Sequence, residues 1–580
     1  MKHLKQLVFN LLLLSSVAAV AEEPPEVYEE SLLLLYQDEE MISIATGTAK
    51  PLHLAPSVAS VITAREIKTL GARTLDEALE FVPGLHVSRD QYSQSAIFSI
   101  RGIHSNFNSQ VILLINGHPI NEPISGSRPP QFKLPVANIS RIEVIRGPGS
   151  AVYGADAFAG VINVITKRAN EINGTVFGAR TGSFGRKDIW AQHGTQLAGW
   201  KAAFSFERNT TDGDNKRYIE EDLLNNSGNM NTQYELYNTS INLEKNNWNL
   251  WLNSWNLKNA GVGVGITQTL DPLGKQEANQ YTAKLNYKDK KFAKNWQLES
   301  NLTYRTGDQQ SRYQLFPVGT VVQLDSEGNI WTPGATSAGY AEFTNGMLGN
   351  PGGDLDHGSF ETAFSYHGHN SHLVRLAFGI KYDRAVAKES KNFGPGVLDG
   401  VVLSADPNTP TPISGTLVSV TGTGNIFLPD SSRTVRHLSL QDEWQFARDW
   451  ELTSGIRYDH YSDFGSTTNP RLALVWATRY NLTSKLLYGR AFRAPGFGEL
   501  YYINNPTTIG NNTLNPEVLD MVELAFDYRP TYDLEMVLNL FKYRADDLIA
   551  YGADGIAQNM HNQRGHGMEL DINYTATNKL

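Results

Sequence analysis

Cysteine is absent from all 580 residues of this chain. Its absence excludes disulfide frameworks, thiolate metal sites and cysteine nucleophiles. An exported chain passes through an oxidising compartment in which stray thiols would pair, so a cysteine-free composition suits export.

Long apolar runs are scarce, and the longest lies at the N-terminus. Residues 7–20 are largely apolar, but a run of about 14 residues is short of the roughly 20 that a spanning helix needs. Lys2 and Lys5 precede the run, and the small residues Ala19-Val20-Ala21 end it as a cleavage site. Residues 1–21 are therefore predicted to be a signal peptide, with an uncleaved signal anchor as the alternative.

No later segment reads as a membrane-spanning helix. Only helices and closed barrels satisfy every backbone group in lipid, so the exported chain is predicted to be a soluble periplasmic protein or a β-barrel. Its 50 Lys and Arg residues are outnumbered by 60 Asp and Glu residues, which gives a formal charge of −10. This balance argues against nucleic acid as a partner, because phosphate neutralisation needs basic clusters.

Motifs of nucleotide-binding and catalytic sites are also lacking. No segment follows the GxxxxGK[ST] pattern, and the glycine cluster at residues 261–265 has no following lysine. No nucleophile–base set stands out, so the protein is predicted not to be an enzyme, with no catalytic residue and no resident cofactor. His367, His369 and His372 surround a short turn, but no metal site is predicted there.

The mature chain divides into three regions. Residues 22–50 are acidic and irregular, residues 51–170 have the helix and strand signals of a compact α+β domain, and residues 174–580 alternate in polarity. Thr63 and Glu66 have the spacing of a capping box, and Asn116-Gly117 is a hairpin turn signal. A second helix is expected over residues 74–79, and strands over residues 97–101, 111–115, 142–145 and 161–166.

Period-two alternation recurs through residues 174–580. Apolar residues take every second position in Trp296–Tyr304, Val522–Tyr528, Leu534–Leu540 and Met568–Tyr574. Aromatic residues cluster at strand ends, and short turns such as residues 369–371 contrast with long polar loops near residues 305–360, 386–433 and 495–515. These features predict transmembrane strands with an apolar outer face and a polar inner face. The alternative is a soluble sandwich or propeller, whose strands also alternate.

Five short motifs stand in order within the compact domain. They are Ile100-Arg101-Gly102, Leu114-Ile115-Asn116-Gly117, Ile142–Pro148, Tyr153-Gly154 and Gly160–Thr166. With this set the chain resembles the TonB-dependent outer-membrane receptors of siderophores, haem and cobalamin, over nearly the whole mature chain. The resemblance implies an all-β transmembrane barrel with an N-terminal α+β plug domain inside it, in the outer membrane of a Gram-negative bacterium.

The strand count differs from the family's. The family barrel has 22 strands, whereas residues 174–580 allow about 16 at roughly 25 residues for each strand and its connection. Asn578-Lys579-Leu580 also lacks the aromatic C-terminal residue that such barrels usually carry. The barrel of residues 174–580 is therefore expected to be C-terminally incomplete, by about six strands.

The resemblance also implies partners. Glu40, Met41, Ile42, Ser43, Ile44 and Ala45 resemble the segment that the inner-membrane protein TonB captures, by strand addition. A disordered acidic linker is the alternative for residues 22–50. The implied partners are TonB with its inner-membrane energising complex, and outer-membrane lipid and lipopolysaccharide around a monomer.

A latch between plug and barrel is implied as well. Residues 491–495, 499–501 and 515–517 resemble a box found late in family barrels. Glu523 and Glu569 match family positions that face the lumen and pair with two plug arginines, here Arg101 and Arg146. Buried carboxylates need cationic partners, so the pairing is physically sensible. Four unrelated solvated charges are the alternative.

The cargo is the least defined expectation. The turns after Leu85 and Gly102 offer candidate ligand-binding residues: His86, Arg89, Gln91, Tyr92, His104, Asn106, Phe107 and Asn108. A ferric siderophore is the first choice, with iron entering only as part of the transported chelate. Haem and cobalamin are alternatives, and for cobalamin an acidic loop around residues 212–222 could bind calcium or be simply solvated. A passive porin or structural barrel is the alternative of a different class.

Overall fold

The computed structural model describes residues 41–47, 50–90, 94–105, 107–332 and 334–576. The predicted signal peptide, Glu40, Gln91, Tyr92 and Asn106 lie outside these ranges. Across the described residues, no helix is long and apolar enough to cross a membrane.

The N-terminal part is a small unit of strands and short helices. Its strands are β1 (Met41–Ile42), β2 (Lys50–Pro51), β3 (Ala59–Thr63), β4 (Leu85–Arg89), β5 (Ala96–Ile100), β6 (Val111–Ile115), β7 (His118–Pro119), β8 (Ile139–Arg146) and β9 (Gly160–Thr166). Its helices are a 3₁₀ turn (Leu52–Leu54), α1 (Ala64–Thr69), α2 (Leu75–Leu79), α3 (Ser150–Tyr153) and α4 (Ala169–Ile172).

This unit is built on a five-stranded sheet in the order β3-β8-β9-β6-β7, with β6 and β9 parallel. The predicted capping box is confirmed, because the Thr63 hydroxyl accepts from the Glu66 backbone while Glu66 accepts from the Thr63 backbone. The hairpin turn is confirmed too: Asn116 and Gly117 both have positive φ between paired Ile115 and His118. The second expected helix is present as α2, although Thr74 makes no capping hydrogen bond.

The remaining strands belong to a large sheet and to its loops. They are β10 (Gly174–Thr181), β11 (Lys187–Leu197), β12 (Trp200–Thr211), β13 (Tyr218–Ile219), β14 (Gly228–Asn229), β15 (Tyr234–Lys245), β16 (Trp248–Gly261), β17 (Lys275–Ala293), β18 (Trp296–Phe316), β19 (Thr320–Asp325), β20 (Ser337–Phe343), β21 (Met347–His369), β22 (His372–Lys391), β23 (Thr411–Ile413), β24 (Val418–Ser419), β25 (Ser431–Ala447), β26 (Trp450–Tyr461), β27 (Gly465–Arg479), β28 (Leu482–Arg493), β29 (Glu517–Thr531), β30 (Leu534–Tyr551) and β31 (Ala557–Tyr574). One helix, α5 (Phe497–Tyr501), lies between β28 and β29.

The large sheet is antiparallel and has 17 strands in the order β10-β11-β12-β15-β16-β17-β18-β21-β22-β24-β25-β26-β27-β28-β29-β30-β31. The expected number of about 16 strands agrees with this count, since β24 has only two residues. Among the described residues, no pairing joins β10 to β31.

The two faces of the large sheet have opposite polarity. In β31, Leu570 and Ile572 expose more than half of their surface. Glu569, which alternates with these apolar residues along the same strand, is buried. In β29, Val522 and Tyr528 face outward in the same way. The soluble sandwich would have buried these apolar side chains against a second sheet, so the outward apolar face excludes it and confirms the barrel prediction.

The ends of the sheet differ as the sequence predicted, with one correction. At one end, two-residue turns join the long strands, for example Asn370–Ser371 between β21 and β22. At the other end, long connections cover residues 317–346, 392–430 and 494–516. The loop predicted near residues 305–360 is much shorter than expected, because β18 and β21 continue as paired strands far into that range.

Aromatic side chains gather at the end with the short turns. Trp248 contacts Tyr287, Trp296 contacts Tyr366, and Trp450 stacks on Trp476, with ring centroids 4.6 to 4.9 Å apart. Such rings mark the boundary between hydrocarbon and water. This end therefore corresponds to the periplasmic side of an outer-membrane barrel, and the long loops to the outside.

The N-terminal unit lies against the polar inner face of the large sheet. Trp255 of β16 donates to the Lys133 carbonyl at 2.8 Å, and Lys284 of β17 donates to the Asn116 carbonyl at 2.8 Å. Barrel side chains such as Leu519 and Tyr543 share an apolar cluster with the sheet of the N-terminal unit. The unit is therefore a plug, and the inner wall of the barrel positions it.

Candidate functional site

The N-terminal segment Met41–Ala45 lies at the short-turn end, packed against the plug. Met41 is 46% exposed, but Ile42 and Ile44 are 0% and 3% exposed within an apolar cluster that includes Ile112 and Val161. These side chains fill the face of the plug sheet that is turned toward the short turns. The segment predicted to contact TonB is therefore largely covered in this structure.

Backbone and charge contacts hold the same segment to the barrel. β1 pairs with β2, and Lys50 of β2 forms ion pairs of 2.5 Å with Glu443 and Glu451 on β25 and β26. Arg471 of β27 donates to the Ala45 carbonyl. One edge of β1 is occupied by β2, so strand addition at that edge requires these contacts to open.

The structure brings together the four residues predicted to form a latch. Arg101 contacts Glu523 at 2.7 Å and Glu569 at 2.9 Å, and Arg146 contacts Glu569 at 3.1 Å. All four side chains are at most 7% exposed. The alternative of four unrelated solvated charges is excluded by this geometry, although mechanical resistance at the cluster stays a prediction.

Local backbone conformation makes room for this ion cluster. Arg101 has φ of 55° and stands over the ring of Phe541 at 4.5 Å. Gly84 has φ of 73°, and a Cβ there would overlap the Glu569 carboxylate. Asn539 of β30 donates to both glutamates, at 3.4 and 3.2 Å. A turn of the plug and three adjacent strands therefore define the positions of the charges.

A cavity of about 670 Å³ lies at the opposite end, between the plug and the long loops. Its size falls within the range of roughly 300–1,000 Å³ that is usual for small-molecule sites. Seven aromatic side chains line it: Phe107, Phe132, Tyr313, Phe316, Phe427, Tyr502 and Tyr551. Phe107 of the plug meets Tyr551 of β30 edge to face, with ring centroids 6.3 Å apart. Plug and barrel thus build the cavity jointly.

Of the ligand-binding residues predicted in the plug turns, the described ones lie in different environments. Phe107 lines the cavity. His86 pairs with Glu80 at 2.8 Å, Arg89 pairs with Asp76 at 3.0 Å, and His104 lies 3.4 Å from the Ser99 hydroxyl. Asn108 is buried, and its amide bonds both backbone groups of Phe98. Asn108 therefore fixes the shape of the plug turn instead of facing the cavity.

Sequence reasoning missed most of the cavity wall. Arg128 reaches it from the plug, with its guanidinium 4.1 Å above the Phe98 ring. Tyr502 and residues 505–508 reach it from the loop that follows β28. The signal that could have found the loop residues is the pair Tyr501-Tyr502, since adjacent aromatic residues outside an alternating strand need another reason for their presence.

Residues 491–495, 499–501 and 515–517, which resemble the box found late in family barrels, connect that loop to the plug. Arg493 is fully buried and bonds Glu499 at 2.8 Å and Glu517 at 2.7 Å. Glu499 in turn accepts from the backbone of Gly496 before α5. Next to this cluster, Phe497 and Gly498 donate to the plug carbonyls of Pro123 and Ile124 at 2.9 and 2.8 Å. The box therefore fixes one wall of the cavity against the plug.

Two other clusters considered from the sequence make contacts within the protein. His369 and His372 lie at the short-turn end, where His372 pairs with Asp442 and stacks on Trp444. Asp222 of the acidic loop accepts from the backbone of Leu224, Asn226 and Leu270. Within the described part of the chain, no group of three or more His, Asp or Glu residues is arranged to hold a metal ion.

Comparisons with known proteins agree with this architecture. Residues 51–161 match the family model of the TonB-dependent receptor plug domain. Residues 169–579 match the family model of the TonB-dependent receptor-like β-barrel.

Individual relatives are more distant. A vitamin B12 transporter BtuB of Vibrio vulnificus is 38% identical over 153 residues, which cover 26% of this chain and 24% of that protein. A BtuB of Photobacterium profundum is 24% identical over 93% of this chain and 76% of its own length. The crystal structure of the ferric enterobactin receptor of Pseudomonas aeruginosa superposes with a TM-score of 0.61, at 15% identity, over 90% of this chain and 78% of that chain. This last similarity concerns the fold alone.

The barrel model by itself spans most of the chain, and the plug model adds the domain inside it. The chain therefore belongs to the TonB-dependent receptors, which are outer-membrane β-barrel proteins of Gram-negative bacteria and are receptors and transporters, not enzymes.

Proposed function

We propose that the protein actively imports a scarce, large nutrient across the outer membrane, driven by TonB and its inner-membrane energising complex. The observation that carries the proposal is the placement of two features at opposite ends of one plug. An aromatic cavity of ligand size opens toward the long loops, and the segment Met41–Ala45 lies covered at the short-turn end. The plug contacts both, so it can couple them.

The proposed cycle consists of binding, signalling and pulling. Ligand binding in the cavity shifts the population toward states in which Met41–Ala45 is released from the plug, without a chemical step. TonB then captures the released segment by strand addition. Force on the segment loads the plug, and the Arg101 and Arg146 pairs with Glu523 and Glu569 resist it. A space of about 920 Å³ between the plug and β15–β18, β21 and β22 supports an exit on that side.

A ferric siderophore is the first candidate cargo, with iron as part of the chelate and not as a resident cofactor. Cobalamin is the second, because the relatives named above are vitamin B12 transporters. The described wall of the cavity has no histidine, which disfavours haem. The protein is expected to act as a monomer surrounded by lipid and lipopolysaccharide.

The test of energised transport is a deletion of residues 39–46 in the full-length protein. We expect high-affinity uptake to be lost while ligand binding to whole cells is retained, because the cavity lies at the other end. Deletion of residues 24–31, an equally long piece of the acidic segment, is the control and should leave uptake intact. A passive porin would behave differently, since its uptake would survive both deletions and a protonophore.

The cargo is tested by growth. Cells that depend on this protein are supplied under iron limitation with defined ferric siderophores or haem, and under cobalamin limitation with vitamin B12. Growth on a single class of compound identifies the nutrient, and growth on none of them contradicts the proposed import.

A further inference from the structure

The wall of the aromatic cavity carries few charges. Among the described residues that line it, Arg128 is the only Lys, Arg or His, and the carboxylates are those of Asp90 and Glu122. The formal charge of this wall is therefore not positive. A site for a polyanion would need an excess of cations, because a buried charge without a partner is strongly unfavourable.

The three charged groups are largely occupied by the protein itself. Glu122 accepts from the backbones of Ile124 and Ser125 at 2.8 and 2.7 Å, and Asp90 accepts from the Ser95 backbone at 2.7 Å. Arg128 donates to the Ala96 carbonyl and to the Asn108 amide oxygen. These contacts shape the plug turn and leave little charge for a ligand.

The surroundings also disfavour charge of either sign. Burial lowers the pKa of Arg128 to about 10, and it raises the pKa of Glu122. Both changes favour the neutral form, which is the behaviour of ionisable groups in a weakly polar medium. A charged ligand group that became buried beside these side chains without a partner would lose hydration in the same way.

What the wall does offer is apolar surface and neutral polar atoms. Seven aromatic residues provide ring faces and edges. The neutral polar side chains of the wall include those of Gln268, Asn505, Thr507 and Thr508. Amide and hydroxyl groups can both donate and accept hydrogen bonds, so they suit the polar groups of a neutral ligand.

We propose that the cavity selects an uncharged ligand, with apolar faces and amide, hydroxamate or hydroxyl groups at its edge, over a trianionic ferric catecholate. This inference rests on the proposed function and names the class of its cargo. Neutral ferric trihydroxamates and neutral corrinoids both meet the description, because they present carbonyl groups around a compact core and carry no net charge.

The test measures equilibrium binding to the purified full-length protein by quenching of tryptophan fluorescence. The probes are ferrichrome (a neutral ferric trihydroxamate), vitamin B12 and trianionic ferric enterobactin. At least one neutral probe is expected to bind about tenfold or more tightly than ferric enterobactin, because burial of three charges lacks compensation. Tighter binding of ferric enterobactin, equal binding of all three, or binding of no neutral probe would overturn the inference.

A pair of variants separates charge from shape. Gln268 and Thr507 are exposed residues of the cavity wall, so Gln268→Lys with Thr507→Lys adds two cations there. The affinity for ferric enterobactin should rise about tenfold while that for the neutral probe changes little. The matched control is Thr507→Gln, which leaves two uncharged side chains of similar length. An unchanged affinity for the trianion in the lysine variant would contradict the inference. Because binding needs no TonB, these results stand apart from the uptake test.

Discussion

At the scale of single residues, Glu569 is the centre of the ion cluster between plug and barrel. It accepts from Arg101, Arg146 and Asn539. When one member of a buried ion cluster is removed, the other members remain as buried charges without a partner. The resulting loss of stability is larger than the stability that the intact cluster contributes. Glu523, which shares Arg101 with Glu569, is less central.

We therefore expect Glu569→Gln to lower the free energy of opening the plug strands near the ion cluster by about 3 kcal/mol. The measurement is hydrogen exchange of β5, which Arg101 directly follows, and of β8, which ends at Arg146. The control is Glu235→Gln, which breaks a partly exposed pair with Arg208 and should cost less than about 1 kcal/mol. Similar exchange in both variants would refute a special role of the cluster.

A second prediction concerns the space beside Glu569. Gly84→Ala should destabilise the plug more than Gly71→Ala by at least about 1 kcal/mol. Both glycines have positive φ, of 73° and 69°, so the backbone strain is similar. Only at Gly84 would the added methyl displace the Glu569 carboxylate, whereas nothing lies within 4 Å at Gly71. Chemical denaturation measures the stability of the two variants. Equal losses of stability would mean that the close approach of Gly84 to the Glu569 carboxylate is unimportant.

At the scale of elements, β1 and the residues after it form the covered segment. Ile42 and Ile44 fill the plug's apolar face while the neighbouring Met41 side chain remains accessible. Exposure of Ile44 therefore requires a local opening of the contacts with the plug sheet.

This predicts different labelling rates for two single-cysteine variants. The chain has no cysteine of its own, so Met41→Cys and Ile44→Cys each give a unique thiol. Without ligand, the thiol at Ile44 should react at least about tenfold more slowly than that at Met41, because it reacts only from opened states. A maleimide labelling time course measures both rates. Equal rates would show that the segment is open already, and the proposed release by ligand would have no basis.

At the scale of the whole molecule, the outer face of the sheet is the surface in contact with lipid. Leu440 of β25 is 49% exposed there, beside Leu376 and Ile456 on the neighbouring strands. Val402 on the long loop that follows β22 is 87% exposed. Both residues are apolar and exposed, but Leu440 lies among apolar neighbours on the outer face of the sheet whereas Val402 lies on a loop.

Leu440→Arg should therefore destabilise the folded barrel by about 2–4 kcal/mol, the cost of an arginine near the bilayer midplane. Val402→Arg should change stability by less than about 0.5 kcal/mol, as a water-exposed surface substitution does. Urea titrations in phospholipid vesicles compare them. If Leu440→Arg were as harmless as Val402→Arg, its face of the sheet would be in water.

Patterns that are local along the chain could be interpreted from the sequence alone. Alternation in Val522–Tyr528 and Met568–Tyr574 set which side chains face outward, since successive residues of a strand point to opposite faces. The capping box of Thr63 and the turn at Asn116-Gly117 depend only on neighbouring residues. The pairs of Arg101 and Arg146 with Glu523 and Glu569 were implied by family motifs, not by spacing.

The tertiary structure decided what depends on distant segments. β21 includes Pro351, Gly352 and Gly353, which suggest a loop by themselves, yet pairing with β18 and β22 keeps them extended. Where strands extend beyond the bilayer, pairing does not require an apolar outer face. Alternation of apolar and polar residues therefore does not reveal these strands in the sequence. The cavity brings Phe107, Arg128 and Tyr551 together from remote parts of the chain. The sequence thus determined which face of each strand meets lipid, because that is a local property; only folding decided which side chains meet a ligand, because that requires contacts between plug and loops.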